Sequence, residues 1–313
     1  MKIVFMGTAE LSRPSLEKLA RDSRFQIAAV VTRPDRPKGR DLKLQPSPVK
    51  TLAEELRLPV LQPAKARDEK FISDLGELKP DLIVVVAYGQ ILPQAILEMP
   101  THGCLNVHTS LLPKYRGASP IQSAILNGET ETGVTIMRMD AGLDTGPILS
   151  QRAAPILPED NSQTLHNRLA LLGAELLAES IPNYIAGKIS ARPQPSEGAS
   201  YAAKIKKEDG RINWSESAEK NLNHLRAFTP WPGAFTSLKT DSKTLLLKIW
   251  NAEIIERTGH AGDILQADKN GIIVACGERA LRVSELQLEG GRRMSAQEFL
   301  AGHAIRAGSH FLQ

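Results

Sequence analysis

The run Asp81-Leu82-Ile83-Val84-Val85-Val86-Ala87-Tyr88-Gly89 constrains the fold more than any other part of the chain. Its middle is apolar and β-branched without polar alternation, so neither face of the strand it forms can be left to water. Such a strand belongs at the centre of a parallel sheet covered by helices on both faces. The N-terminus agrees: Lys2 to Met6 reads as a strand, Gly7 as a turn, Leu11 to Leu19 as an amphipathic helix and Gln26 to Thr32 as a second strand. The expected architecture is α/β, a Rossmann-like, mostly parallel sheet. Tyr88, Gly89 and Gln90 would then lie at a strand's carboxyl end, where such sheets bind ligands.

Leu165 to Ala186 is apolar at helical spacing, and Ser190 to Gly198 has the Pro, Ser and Gly content of a linker. Beyond it, Thr244 to Trp250, Gly271 to Ala275 and Ala280 to Leu286 are short alternating runs separated by turn residues, which predicts a small β-barrel. The expected division is a domain over 1–189, a linker over 190–208 and a barrel over 209–313. The rings of Phe228, Trp231 and Phe235, set among prolines, read as barrel core, and Met6, Met137 and Met139 as strand core.

Several function classes drop out. Gly7-Thr8-Ala9-Glu10-Leu11-Ser12 lacks the later glycines of a dinucleotide fingerprint, and no Gly-x-x-x-x-Gly-Lys-Ser/Thr occurs. The two cysteines, Cys104 and Cys276, lie far apart and show no metal-ligand spacing, so neither a disulfide framework nor a metal is expected. No apolar run reaches membrane-spanning length and no leader pattern precedes the first strand, so a cytoplasmic protein is expected.

Chemistry concentrates in Asn106-Val107-His108-Thr109-Ser110-Leu111-Leu112-Pro113 and Met139-Asp140-Ala141-Gly142-Leu143-Asp144-Thr145-Gly146. On a strand, Asn106 and His108 share a face and extend past Cys104-Leu105 as a polar ledge. Asp144 follows the strand-like Gly133 to Arg138, and Gly142 and Gly146 free its loop to bend toward that ledge. An amide, an imidazole and a carboxylate suit transfer of an acyl group to a neutral amine. Asn106 can hold the oxyanion, His108 can stabilise it or carry the amine proton, and Asp144 can orient His108.

A formal charge of +4 permits nucleic-acid contact without requiring it. Local clusters carry more information. Arg33, Arg36, Lys38, Arg40 and Lys43 fall in one segment whose Pro and Gly residues argue against a regular helix or strand, predicting a mobile cationic loop that grips phosphates. Lys204, Lys206 and Lys207 form a second cluster at the linker's exit.

The pattern Asn-x-His-x-Ser-Leu-Leu-Pro-x-x-Arg-Gly at 106–117, with Gly-Leu-Asp-Thr-Gly at 142–146, resembles the 10-formyltetrahydrofolate-dependent formyltransferases. Pro34 to Arg40, Pro46 to Lys50, Arg226 to Pro232 and Met294 to Gln297 extend the resemblance and narrow it to the branch that formylates methionine carried on initiator tRNA. The resemblance implies that Asn106, His108 and Asp144 are catalytic and that Ser110, Leu111, Leu112 and Pro113 contact folate. It implies an OB-like barrel, a basic loop that engages the tRNA acceptor end and a monomer using 10-formyltetrahydrofolate as co-substrate. Lys114 and Tyr115 stand where Arg and Trp are often found. The rivals are an amino-sugar acceptor, hydrolysis of 10-formyltetrahydrofolate, and a tRNA-binding module without catalysis.

Overall fold

The computed structural model describes residues 1–38, 43–239, 244–303, 305 and 307–312. They form two compact units. The first comprises 1–120, 131–155 and 166–202; the second comprises 121–130, 156–165 and 203–313.

The strands of the first unit are β1 (Lys2–Gly7), β2 (Gln26–Val31), β3 (Arg36–Lys38), β4 (Lys43–Gln45), β5 (Val60–Leu61), β6 (Leu82–Val86), β7 (Cys104–His108), β8 (Arg116–Gly117), β9 (Glu131–Arg138), β10 (Ile148–Pro155) and β11 (Tyr201–Ala202). Its main sheet has the order β10-β9-β7-β6-β1-β2-β5. Strands β5, β2, β1, β6 and β7 run parallel, and β9 and β10 add an antiparallel edge. Every residue of β6 is buried, as a central strand of unbroken apolar sequence requires, and so is every residue of β7, its polar Asn106 and His108 included.

The helices before residue 203 are α1 (Arg13–Ala20), α2 (Pro48–Glu55), α3 (Glu69–Glu77), α4 (Gln94–Leu97), α5 (Pro120–Leu126), which belongs to the second unit from residue 121 on, and α6 (Ser162–Ile185), which belongs to the first from residue 166 on. Local chemistry sets their starts. Ser47 accepts from Lys50 N at 3.0 Å with Pro48 at the first helical position, and Asp68 accepts from Phe71 N at 3.2 Å. Both sheet faces are covered. Val4, Met6, Ile83, Val85 and Cys104 pack with Phe71 and Leu75 of α3 and Ile96 and Leu97 of α4. On the other face, Gly173 of α6 sits so close to Val107 that a Cβ would lie 2.8 Å from its Cγ1.

The expected irregular loop at 33–43 needs correcting. Residues 36–38 and 43–45 are paired strands, with Arg36 opposite Gln45 and Pro37 opposite Leu44. A two-stranded ribbon leaves one side of each strand unpaired, so Pro37 can occupy an edge without an N–H to donate. Arg40 and the side chains of Lys38 and Lys43 lie outside the described residues.

The second unit contains α7 (Ala218–Phe228), β12 (Ala234–Lys239), β13 (Thr244–Ile255), β14 (Ile264–Asp268), β15 (Gly271–Ala275), β16 (Ala280–Leu288), β17 (Arg293–Ser295), α8 (Ala296–Gly302) and β18 (Phe311–Leu312). Its strands form a separate, curled antiparallel sheet in the order β14-β15-β16-β13-β12-β18, with β17 on β16. Trp214 is fully buried at its centre, stacked on Phe311 with ring centroids 5.6 Å apart, and donates from Nε1 to Thr236 Oγ1 at 3.0 Å. Phe228 is buried as expected, but Trp231 is 57% exposed. Pro230 and Pro232 flank it in a turn whose buried members are Pro232 and Gly233, and the indole between them faces outward.

Candidate active site

Strand β7 delivers Asn106 and His108 to one side of the sheet's carboxyl edge. Cys104, two residues earlier on the same face, packs against α4, whereas Asn106 and His108 lie further along the strand. In register, Val85 of β6 faces Asn106, and Met137 and Thr135 of β9 face Asn106 and His108. Asn106 is 9% exposed and His108 5%.

The loop after β9 brings Asp144 to this pair. Asn106 Nδ2 donates to Asp144 Oδ1 at 3.4 Å, and His108 Nδ1 lies 3.6 Å from Asp144 Oδ2. The amide of Gly117 donates to the same Oδ2 at 2.9 Å. All three expected catalytic residues are thus brought together. Asp144 itself takes the left-handed conformation, with φ 54°, an uncommon state for a residue with a side chain. The neighbouring glycine serves proximity instead: a Cβ on Gly146 would stand 1.9 Å from the Arg138 carbonyl oxygen. Asp140 secures the turn by accepting from Gly142 N at 3.0 Å and Thr145 Oγ1 at 2.8 Å.

His108 Nε2 lies 2.9 Å from the Tyr115 carbonyl oxygen. A carbonyl only accepts, so this nitrogen carries a proton, and in the neutral ring the lone pair belongs to Nδ1. The nitrogen free to take up a proton is therefore the one that faces Asp144.

The segment 110–117 is tightly specified. Ser110 is fully buried and donates from Oγ to the Lys114 carbonyl at 2.6 Å. Thr135 Oγ1 donates to Ser110 O at 2.7 Å and accepts from Leu112 N at 3.1 Å. Gln151 Nε2 reaches both Thr135 Oγ1 and the Leu112 carbonyl at 2.9 Å. Leu112 is buried, Leu111 and Pro113 are partly exposed, and Tyr115 has φ 61°. Tyr88, Gly89 and Gln90 follow β6, the immediate neighbour of β7. Gly89 is exposed with φ 81°, and Gln90 accepts from Ala66 N at 2.8 Å. Tyr88 packs into the apolar core, and its burial pushes the phenol up to about 12.

Residues not singled out in the sequence complete the frame. Gln194 donates from Nε2 to the carbonyls of Asp144 and Gly146, both at 2.8 Å. Its Oε1 accepts from Arg116 Nε at 3.0 Å and Nη2 at 2.7 Å. Ser200 Oγ accepts from Tyr115 N at 2.9 Å. Nothing in the spacing of a glutamine between prolines marks it, because its partners are backbone carbonyls distant in sequence.

The basic ribbon leaves the carboxyl end of β2, the same sheet edge as the ledge. Lys50 Nζ pairs with Asp35 Oδ2 at 2.7 Å and Gln62 Nε2 donates to Oδ1 at 2.7 Å, and together they hold the Asp35 carboxyl below the usual range. Arg33 is partly exposed and Arg36 exposed. In the second unit, Lys204, Lys206 and Lys207 are exposed, and the Lys206 backbone N–H donates to Asp209 Oδ2 at 2.7 Å.

Comparison with known proteins agrees along nearly the whole chain. Residues 1–181 match the formyl transferase family model, and residues 204–304 match the model of the formyl transferase C-terminal domain. A methionyl-tRNA formyltransferase from Geobacter metallireducens is 51% identical over 308 residues, covering 98% of this chain and 97% of the relative. One from Nitrosomonas eutropha is 47% identical over 313 residues, covering 99% and 98%. Among solved structures, the N-formyltransferase from Helicobacter canadensis in complex with folinic acid and dTDP-3-aminofucose aligns with a TM-score of 0.64 at 20% identity, covering 90% of this chain and 99% of that one. HypX from Aquifex aeolicus in complex with tetrahydrofolic acid gives 0.61 at 18% identity, covering 96% of this chain and 47% of that one. At such identities the structural likeness speaks for the fold. The sequence identity to full-length relatives speaks for the activity: the chain belongs to the methionyl-tRNA formyltransferases, which move the formyl group of 10-formyltetrahydrofolate onto the α-amine of methionine esterified to initiator tRNA.

Proposed function

We propose that Asn106, His108 and Asp144 carry this transfer, with folate held by the segments Ser110, Leu111, Leu112, Pro113 and Tyr88, Gly89, Gln90, in which the accessible Leu111, Pro113, Gly89 and Gln90 touch it and the buried Ser110, Leu112 and Tyr88 fix their place. The convergence of the three side chains at one buried strand end is the observation that supports the reading most strongly. Asn106 Nδ2 donates to the formyl oxygen as negative charge develops there. His108 Nδ1 accepts the proton that the attacking amine must lose, and the imidazolium is then stabilised by Asp144 Oδ2. His108 returns that proton to the departing folate nitrogen, so the cycle ends with His108 neutral.

Gln194 acts as a positioning residue through its hold on the Asp144 loop. Gln194→Glu keeps a partner for Arg116 and loses the donor to the two carbonyls. The expected result is a kcat reduced on the order of 10²-fold with the folate KM little changed, as a catalytic group displaced by about 1 Å predicts. A rise in KM with unchanged kcat would assign Gln194 to binding instead.

The tRNA contacts in this reading are Arg33, Arg36, Lys38, Arg40 and Lys43, of which Arg36, Lys38 and Lys43 belong to the two ribbon strands, together with Lys204, Lys206 and Lys207. The catalytic domain is 1–189, the linker 190–208 carries Gln194 and the lysine cluster, and the C-terminal domain 209–313 adds to the tRNA contact made by these basic residues. The curled sheet closes as an OB-like barrel, an assignment supported by the antiparallel bridge between Asp263 and His310 beyond its path. The protein acts as a cytoplasmic monomer. Arg36→Ala is expected to weaken initiator tRNA binding and to reduce the slope of log K against log salt by about 0.7–0.9, the value for one phosphate. An unchanged slope in a filter-binding titration would remove Arg36 from the interface.

A further inference from the structure

We infer that His260, Asp263 and His310 form a binding site for one divalent transition-metal ion of the zinc class, clamping the C-terminal segment to β14. One potential ligand atom from each residue lies within 4.8 Å of the others. His310 Nδ1 is 2.9 Å and His260 Nδ1 is 3.9 Å from Asp263 Oδ1. Tetrahedral zinc with bonds of about 2.0–2.2 Å needs its donors roughly 3.3 Å apart, a spacing that lies between these two distances. Small side-chain rotations therefore suffice to close the site.

The backbone beneath the cluster is built to hold it. His260-Ala261-Gly262-Asp263 is a turn in which Asp263 N donates to the His260 carbonyl at 2.9 Å. Asp263 and His310 form an antiparallel bridge, flanked by Ile264 N to Ser309 O at 2.8 Å and Phe311 N to Gly262 O at 2.8 Å. Gly262, at φ 90°, allows this approach, since a Cβ there would lie 2.8 Å from both His310 Cε1 and the Phe311 carbonyl oxygen. Two segments distant in sequence are thus locked in register with three ligating side chains together.

The donor set selects the metal. Two imidazoles and one carboxylate suit zinc and its divalent neighbours, whereas magnesium and calcium prefer oxygen ligands alone. His260 is exposed, which leaves a path for the ion and room for water at the remaining position. The clamp would secure β18, whose Phe311 stacks on Trp214 in the core of this unit. The site shares no residue with the Asn106, His108 and Asp144 group.

The test is calorimetric titration of the full-length, chelator-treated protein with Zn²⁺, alongside His260→Ala, His310→Ala and a control, His166→Ala. The expected result is one saturable equivalent in the parent and the control, at least tenfold weaker binding in both cluster variants, and no response to Mg²⁺. Zn²⁺ should also raise Tm by about 2–4 °C in the parent and not in His260→Ala. His260 is exposed, so its removal does not endanger folding. Absence of saturable binding, or parental affinity in either cluster variant, would overturn the proposal.

Discussion

His108→Ala is expected to lower the single-turnover rate of methionyl-tRNA formylation by about 10²–10⁴-fold, the range associated with losing a positioned proton carrier. The size follows from the ring's connections. One nitrogen is fixed by the Tyr115 carbonyl at 2.9 Å, and the other faces Asp144 at 3.6 Å, so the ring has one orientation and one exchangeable position. Among the described residues that contact Asp144, His108 is the one imidazole. The binding constant for initiator tRNA should stay near its original value, because the basic ribbon is set by Asp35, Lys50 and Gln62 and not by His108. His108→Gln provides the control for packing: its Nε2 reaches as far as the ring Nε2 and keeps a donor for the Tyr115 carbonyl, but an amide has no nitrogen that takes up a proton. It should fold as the parent does and remain as slow as the alanine variant. Recovery of the rate in His108→Gln would remove proton transfer from this residue's role.

Asn106→Ala should cost about 10²–10³-fold in kcat, the usual consequence of removing one oxyanion donor from a water-poor site. Asn106 is 9% exposed, and its link to Asp144, at 3.4 Å, is long for a hydrogen bond. It is therefore available for a stronger acceptor when charge builds on the formyl oxygen. Folate KM should change little, since the donor's contribution is concentrated in the transition state. Asn106→Asp has the same shape and the wrong charge, and it should be slower still because it places a second carboxylate beside Asp144. A folate KM that rises in step with the loss of kcat/KM, at constant kcat, would show a binding role only.

Much of the fold was legible because its signals are local. The unbroken Leu82 to Val86 run announces a buried parallel strand, and the i, i+2 spacing of Asn106 and His108 puts them on one face before any contact is known. The curled sheet of the second unit was visible in the alternation of Thr244 to Trp250 and the turns after it. Long-range features were not legible. Pro37 reads as a breaker, yet a ribbon edge tolerates it, since its missing N–H is required only where a strand pairs on that side. Trp231 reads as core by composition, yet it is exposed while the Pro232 and Gly233 that follow it are buried, a local difference that composition does not encode. Gln194 acts on carbonyls about fifty residues earlier in the chain, and no periodicity encodes that meeting. The His260, Asp263 and His310 cluster escaped the spacing rules for the same reason, because its third member comes from the C-terminal segment.

The central claim is that the strand end and the glycine-flanked loop act on one formyl carbon as a unit. A cycle of His108→Ala, Asp144→Ala and the double variant, read as single-turnover formylation rates with methionyl-initiator tRNA, tests it most directly. Groups that share one proton should be strongly non-additive, with the double variant within about tenfold of the slower single variant. Losses that multiply fully in the double variant would mean that the imidazole and the carboxylate act independently, contrary to the geometry that joins them.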